Sequence, residues 1–361
     1  MTTRWTHEID GFTVDVELTN RCNTHCEFCP RDRTPHQGLM KTETFEQVLG
    51  RLVEFRAEAL RLFDTRVSMS FCGLGEQLLH HDGPDFVERA RSVGFVPSMC
   101  SNGSHLDRSH ARALVDAGLG KIYVNCGEIG EEYERVYQLP FDRLVENVKG
   151  FLEVAGDHCE VHIVLVDHRG DQARMDEVTA FWRGQGVKCF FPSPMLNRSG
   201  SLEVDGMAFT SMPEVDRARA HFESLGIQPV CPAAFAYPFI GYDGNYYLCS
   251  SDWEKRVSTG SVFEDSLMAG YGRRMAAVTS REPICRSCNH DPLNKLALLM
   301  AGTGAVGKID EAARTSVAHT ETMRAMLQQM EAAGHLSAPA PTPVISGGRT
   351  GAHRLIPVSG T

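Results

Sequence analysis

The chain has 361 residues, a formal charge of −10 and 42% apolar residues, enough for one large domain or a large and a small one around a packed core. No Lys/Arg-rich run accompanies the acidic balance, which argues against a nucleic-acid partner, because phosphate contacts need clustered cations. No stretch approaches the ~18–20 apolar residues of a membrane span, and the opening MTTRWTHEID lacks the apolar core of a signal peptide. The expected location is therefore cytoplasmic, where thiols stay reduced. The twelve cysteines then call for metal or redox chemistry before disulfides.

Phe12-Thr-Val-Asp-Val-Glu-Leu18 alternates apolar and polar residues, as a strand with one buried face does. Residues 42–63 place Phe45, Val48, Leu49, Leu52 and Val53 on one helical stripe. Further strands are expected at 67–72, 95–100, 121–126, 160–166 and 187–191. Helices are expected at 107–117, with Asp107 as N-cap, at 141–154 and at 171–185. Six strand–helix units in succession imply a parallel sheet, open or curled into a partial barrel. Ligands of such sheets bind on the loops beyond the carboxyl ends of the strands. From about residue 205 the rhythm changes: a helix at 213–225, a hairpin at 237–248 turning on Asp243-Gly244, a cysteine-bearing segment ending near His290, and a helix at 311–333. The Pro-, Gly-, Ser- and Thr-rich stretch from residue 337 is expected to be disordered. The expected division is 1–204, 205–295, 296–336 as a helical segment, and 337–361 as a tail.

Cys22-Asn-Thr-His-Cys26-Glu-Phe-Cys29 directly follows the first strand. Thiolate is the usual protein donor to a [4Fe–4S] cluster, which takes four ligands; three cysteines leave one iron open to a small molecule. Structural zinc usually pairs two C-x2-C halves, and no second half lies nearby, although His25 is a ligand type within the loop.

Leu18-Thr-Asn-Arg-Cys22-Asn, with Cys26 and Cys29-Pro30, resembles the opening of the radical S-adenosylmethionine (SAM) superfamily, where C-x3-C-x2-C follows the first barrel strand. Phe71-Cys-Gly73-Leu-Gly75-Glu76 resembles that family's Gly-Gly-Glu motif, here with Leu74 between the glycines. The resemblance implies that this backbone and the Glu76 carboxylate receive the SAM amino group. Ser101-Asn102-Gly103 resembles the family's Thr-Asn-Gly segment beside SAM, and Asn197-Arg198-Ser199-Gly200 resembles an Asn-Arg-x-Gly segment in which Arg198 would meet the SAM carboxylate. Singly, Gly73 and Gly75 read as turn residues, Glu76 as a solvated carboxylate and Arg198 as a surface cation; their order after successive strands joins them. The implied fold is α/β: a partial (βα)6 radical SAM barrel with a small C-terminal α+β auxiliary-cluster domain.

Cys231, Cys249, Cys285 and Cys288 form a second set. Four thiolates on a hairpin and a short knuckle could fill a cluster, bind a rubredoxin-like iron or bind structural zinc. C-x12-G-x4-C, then Gly260-Ser-Val-Phe-Glu-Asp-Ser-Leu267, then C-x2-C resembles the SPASM/twitch subfamily. With no cysteine after Cys288, the resemblance is to the shorter twitch form, which implies one auxiliary [4Fe–4S] cluster.

Cys72, Cys100, Cys126, Cys159 and Cys189 lie on or beside strands, where small buried thiols are common core residues. Cys126 also ends a strand on the ligand side. It is a candidate hydrogen-atom donor to a substrate radical, although Asn125 stands where related enzymes often have Ser. The family resemblance implies that an external one-electron reductant, of flavodoxin or ferredoxin type, charges the first cluster. SAM is then cleaved, and the 5′-deoxyadenosyl radical takes hydrogen from a small molecule. The leading expectation is dehydrogenation of a sugar- or aminocyclitol-like alcohol in a specialised-metabolite pathway. The alternatives are radical epimerisation or decarboxylation, peptide maturation and, from another class, a non-catalytic zinc protein.

Overall fold

The computed structural model describes residues 11–34, 36–199, 213–226, 228–301 and 306–336. Six strands, β1 (Gly11–Val16), β2 (Arg66–Phe71), β3 (Ser98–Ser101), β4 (Lys121–Asn125), β5 (Glu160–Asp167) and β6 (Cys189–Pro194), pair in parallel and in chain order. Parallel neighbours need crossovers. These are α1 (Thr42–Phe63), α2 (Gly83–Ser92), α3 (Arg108–Ala117), α4 (Glu131–Tyr137), α5 (Phe141–Ala155) and α6 (Gln172–Gly184). The α/β fold with a parallel partial barrel is the one expected.

Local chemistry explains the boundaries. Asp107 caps α3 by accepting from Ser109 and His110 N–H, and Asp171 caps α6 by accepting from Arg174 N–H. The third strand begins at Ser98, not at residue 95. Gly94 turns the chain at φ +84°, and Pro97 has no N–H to give to a ladder. In α1 the buried stripe runs through Phe45, Val48, Leu49, Leu52 and Phe55; Val53, expected on it, is exposed. Helices α2 and α4 were not expected.

The C-terminal region contains α7 (Pro213–Ser224), α8 (Pro232–Ala236), β7 (Phe239–Ile240), β8 (Asn245–Tyr247), β9 (Ser258–Ser261), α9 (Leu267–Thr279), α10 (Pro283–Arg286), α11 (Pro292–Ala301) and α12 (Val306–Ala332). Strand β7 pairs in parallel with β1, through Asp15↔Phe239 and Val16↔Ile240, and β8 and β9 follow antiparallel. One sheet of order β6-β5-β4-β3-β2-β1-β7-β8-β9 results. The second region thus continues the barrel's own sheet instead of standing apart from it. Its hairpin does not make the two-residue turn expected at Asp243-Gly244. It closes through Gly241 N–H to Asn245 O at 2.9 Å, with Gly244 at φ +81°. Gly200, the expected boundary at 204/205 and the 337–361 tail lie outside the described residues.

The two faces of the barrel sheet differ in chemistry. Phe12, Val14 and Val16 join the helix-side core, where Phe12 meets Phe55 and Tyr271 at 5.3 Å each. Side chains alternate along a strand, so Thr13, Asp15, Ser68, Ser70, Cys100, Tyr123 and His162 form the opposite, inner wall. Thr13 Oγ1 and Ser68 Oγ lie 2.9 Å apart there, and the Tyr123 and His162 rings are 4.9 Å apart. Among the described residues no helix is long and apolar enough to cross a membrane.

Candidate functional site

Cys22, Cys26 and Cys29 stand on the loop that leaves the carboxyl end of β1. Cys29 N–H donates to Cys26 O at 3.1 Å, Arg31 Nη2 donates to Thr24 O at 3.1 Å, and Thr24 Oγ1 donates to Tyr137 O. Burial, reinforced by the neighbouring Cys29 and Cys22, pushes the Cys26 thiol up to about 12, and burial also raises Cys22. Thiols held protonated in this way ionise together only around a cationic centre. Among the described residues, the groups of metal-ligating atoms all within 4.8 Å of one another are His80, His81 and Asp82, and Glu160, His162 and Cys189. The cysteine triad is spread wider than that. Zinc with ~2.3 Å Zn–S bonds needs its sulfurs only about 3.8 Å apart, whereas the corners of an iron cube are farther apart. His25 Nδ1 lies 3.3 Å from Arg31 Nη2. Thiolate is the usual protein donor to an iron–sulfur cluster, and a set of three leaves one of its four irons without a protein ligand.

The turn after β2 is pressed onto this loop. A Cβ on Gly75 would lie 2.4 Å from Arg21 O and 2.5 Å from Thr19 O, and one on Gly73 would lie 2.4 Å from Glu17 Cγ. Glu76, 1% exposed, accepts from Ser101 Oγ at 2.9 Å, Leu78 N at 3.1 Å and Asn102 N at 2.6 Å. Burial raises its pKa while those donors lower it. The resemblance gave this carboxylate to the SAM amino group. Those three donors make Glu76 a strut between the end of β2 and the end of β3 and leave acceptor capacity on its second oxygen for a further donor. Asn102 Nδ2 turns back to the cysteine loop, 3.8 Å from Cys22 Sγ and 2.9 Å from Asn23 Oδ1. Gly73, Gly75, Glu76, Ser101, Asn102 and the cysteine triad therefore share one rim. Beside them the Tyr133 hydroxyl is buried without a hydrogen-bond partner, an orphaned polar atom such as a bound group would satisfy.

Three residues of this rim escaped sequence reasoning. Gln77, fully buried, accepts from Leu18 N at 2.8 Å and donates to Thr19 O at 3.2 Å and Gly75 O at 3.1 Å. Glu17, 1% exposed, accepts from Leu74 N at 3.0 Å and pairs with Lys255 Nζ from the C-terminal region. Lys255 lies over Tyr242 and Tyr247, 4.6 and 4.8 Å from the ring centroids. Below the rim, on the inner wall, burial pushes the Asp15 carboxyl up to about 7 although the Arg274 guanidinium draws it down.

The second cysteine set also assembles. Cys231 precedes α8, Cys249 follows β8, and Cys285 and Cys288 form a knuckle in which Cys288 N–H donates to Cys285 O at 3.2 Å. Asn294 Nδ2 clasps the knuckle through Arg286 O at 2.9 Å and Cys288 O at 2.8 Å. Burial, then the neighbouring Cys288, pushes Cys231 up to about 12 and Cys249 up to about 11.

Arg198 borders the second cysteine set, and Cys126 lies in the core. Asn197 Nδ2 donates to Ser287 O at 2.8 Å, and its Oδ1 accepts from Asn289 N at 3.1 Å. Arg198 is thereby fastened to the second cysteine region, lining a small cavity with Ser251, Asp252 and Trp253. Its field still reaches Cys72 at the end of β2. Cys126 is fully buried, donates to Glu128 O at 3.0 Å and accepts from Trp182 Nε1 at 3.3 Å. With donor and acceptor both engaged inside the helix-side core, it packs, and its proposed role as hydrogen-atom donor is not supported by its position.

Residues 16–179 match the family model described as Radical SAM superfamily. A probable GTP 3′,8-cyclase from Methanothermobacter thermautotrophicus is 24% identical over 158 residues, 43% of this chain and 48% of the relative; the match thus spans about half the length of that protein. Among solved structures, native anSMEcpe with bound AdoMet superposes with a TM-score of 0.55 at 14% identity, over 84% of this chain and 100% of that one. SuiB of Streptococcus suis bound to its precursor peptide SuiA gives 0.55 at 13% identity, over 81% of this chain and 74% of that one. At those identities the structural likeness shows the fold.

Proposed function

This chain carries a radical SAM superfamily domain over residues 16–179, and from that premise we propose that it dehydrogenates a hydroxyl group of a sugar- or aminocyclitol-like metabolite. In this reading Cys22, Cys26 and Cys29 hold a [4Fe–4S] cluster with SAM on its open iron, and Cys231, Cys249, Cys285 and Cys288 hold a second cluster. Bound at the first site, the cofactor supplies an organic radical able to take a hydrogen atom from an unactivated carbon. The residues of the chain do the rest. The Gly73–Gly75 turn and the Glu76 strut keep the rim rigid around the cysteine loop. Thr13, Ser68, Ser70, Tyr123 and His162 offer hydrogen bonds to a polar, hydroxyl-rich substrate. Four cysteines supply every ligand the second cluster needs, which suits electron transfer over substrate binding. An external one-electron donor of flavodoxin or ferredoxin type completes the circuit.

The observation that carries the dehydrogenase reading is Asp15, a carboxyl poised at about 7 on that polar wall, where a substrate hydroxyl must lose its proton. Turnover is expected to rise with pH through about 7 and level off above it as Asp15 ionises. Asp15→Asn should lower kcat by about 10²–10⁴-fold and abolish that pH limb without changing iron content. The linked stability has a definite sign. Between 3.8 and about 7 the folded chain keeps a proton that the unfolded chain has lost, so stability falls as pH rises through that window. Asp15→Asn should therefore melt higher than the parent above the window and level with it below.

Product analysis tests the reaction. A panel of sugars and aminocyclitols deuterated at each carbinol carbon should give a ketone, with deuterium carried into 5′-deoxyadenosine. An inverted centre without oxidation, released carbon dioxide or a cross-linked peptide as product contradicts dehydrogenation.

A further inference from the structure

Arg274 is among the largest fully buried side chains in the molecule, 1% exposed. It lies on α9, whose Tyr271 hydroxyl donates to Phe235 O at 3.1 Å and whose Arg274 Nη2 donates to Tyr237 O at 2.6 Å. Both acceptors belong to the segment that begins at Cys231, so α9 is bolted to the back of the second cysteine set. Arg274 Nε and Nη1 are buried with no hydrogen-bond partner. A guanidinium stays charged in a protein interior, and a buried charge without a counter-ion is strongly destabilising. The acidic groups facing it are Cys249 and Cys231 from the second set, Tyr271 on its own helix and Asp15 on β1. Asp15 is a poor counter-ion, since burial leaves it half-protonated near neutrality. The chain therefore holds a buried cation whose Nε and Nη1 are unspent donors and whose facing thiols are Cys231 and Cys249.

We propose that Arg274 is the built-in counter-ion of the cluster held by Cys231, Cys249, Cys285 and Cys288, donating from its unspent Nε and Nη1 toward the cluster sulfurs and raising its reduction potential. The inference rests on the reading that these four cysteines hold a cluster. A cluster ligated by four thiolates is net negative, and more so by one charge when reduced, so a fixed cation behind it favours the reduced form. Arg274 is thus a positioning residue, acting on the potential without touching substrate.

The test uses the full chain with Cys22, Cys26 and Cys29 all changed to alanine, so that only the second centre remains, titrated anaerobically and followed by electron paramagnetic resonance. Arg274→Met should lower the equilibrium constant for reduction at least about tenfold, a midpoint roughly 59 mV more negative for one electron. Arg274→Lys, which keeps the charge, should recover most of the difference. Iron bound at four per chain with an unmoved midpoint in Arg274→Met overturns the inference alone; a parent that binds no iron overturns the cluster reading with it. Thermal melting gives a second readout. Arg274→Met should leave the cluster-free chain as stable as the parent or more so, and should destabilise the loaded chain. Equal destabilisation of both forms would make Arg274 an ordinary structural side chain and overturn the proposal.

Discussion

Replacing Cys22 with alanine is expected to remove roughly four of about eight iron atoms per chain, on four-iron stoichiometry at each site, and to take 5′-deoxyadenosine formation to background. The expected loss exceeds the roughly 10–100-fold typical of residues that merely support a metal ligand, because two cysteines cannot hold a cube while leaving one iron for SAM. The second site is separate in the chain and should retain its iron. Cys22 is also the thiol that receives Asn102 Nδ2 at 3.8 Å, so its loss removes both a ligand and the contact through which the β3 loop orders the cysteine loop. Iron analysis with product chromatography checks this. Loss of all iron would mean that the two cysteine sets form one site, and no loss of iron would mean that Cys22 binds none.

Gly75→Ala is expected to have an effect nearly as large, without touching a ligand. The added carbon would lie 2.4 Å from Arg21 O and 2.5 Å from Thr19 O, and those are backbone atoms of the loop that positions the thiols. A flexible side chain can swing aside; backbone already held by Gln77 through Leu18 N and Thr19 O cannot move without breaking those bonds. Overpacking of this kind destabilises by about 1–3 kcal/mol. Here the displacement falls on Cys22, one residue beyond Arg21, so cluster loading should fall along with melting temperature. Gly73→Ala is the informative contrast. Its new carbon meets the Glu17 side chain, which can shift at the expense of its bond to Leu74 N and its pairing with Lys255. Iron retention in Gly73→Ala with loss in Gly75→Ala is the expected pattern; equal retention in both would show that the close approach at Gly75 is unimportant.

Much of the barrel was legible because its signals are local. Helix α1 runs over the expected 42–63, since an apolar stripe of that length has one helical solution, and Asp107 announces its helix as a capping residue. The cysteine loop, the glycine turn and Ser101-Asn102 could be placed on one rim because each follows a parallel strand. What could not be read was settled by partners far away in the chain. Glu17 reads as the polar position of an alternating strand, yet it is buried because Lys255, distant in sequence, neutralises it. Asp15 carries no local mark of its raised pKa, which comes from burial in the folded chain. The pairing of β7 with β1 is equally silent in a two-residue strand. Glu76 could be placed on the rim from its motif, whereas its hydrogen bonds to Ser101, Leu78 and Asn102 depend on how β2 and β3 meet in the fold.

The iron left uncovered by the three-cysteine loop is tested most directly on the parent chain, iron-loaded, anaerobic and reduced. Adding SAM should change the electron paramagnetic resonance signal of one cluster and yield methionine with 5′-deoxyadenosine. A loaded, reduced chain whose signal ignores SAM and which forms no 5′-deoxyadenosine would contradict an iron open to SAM.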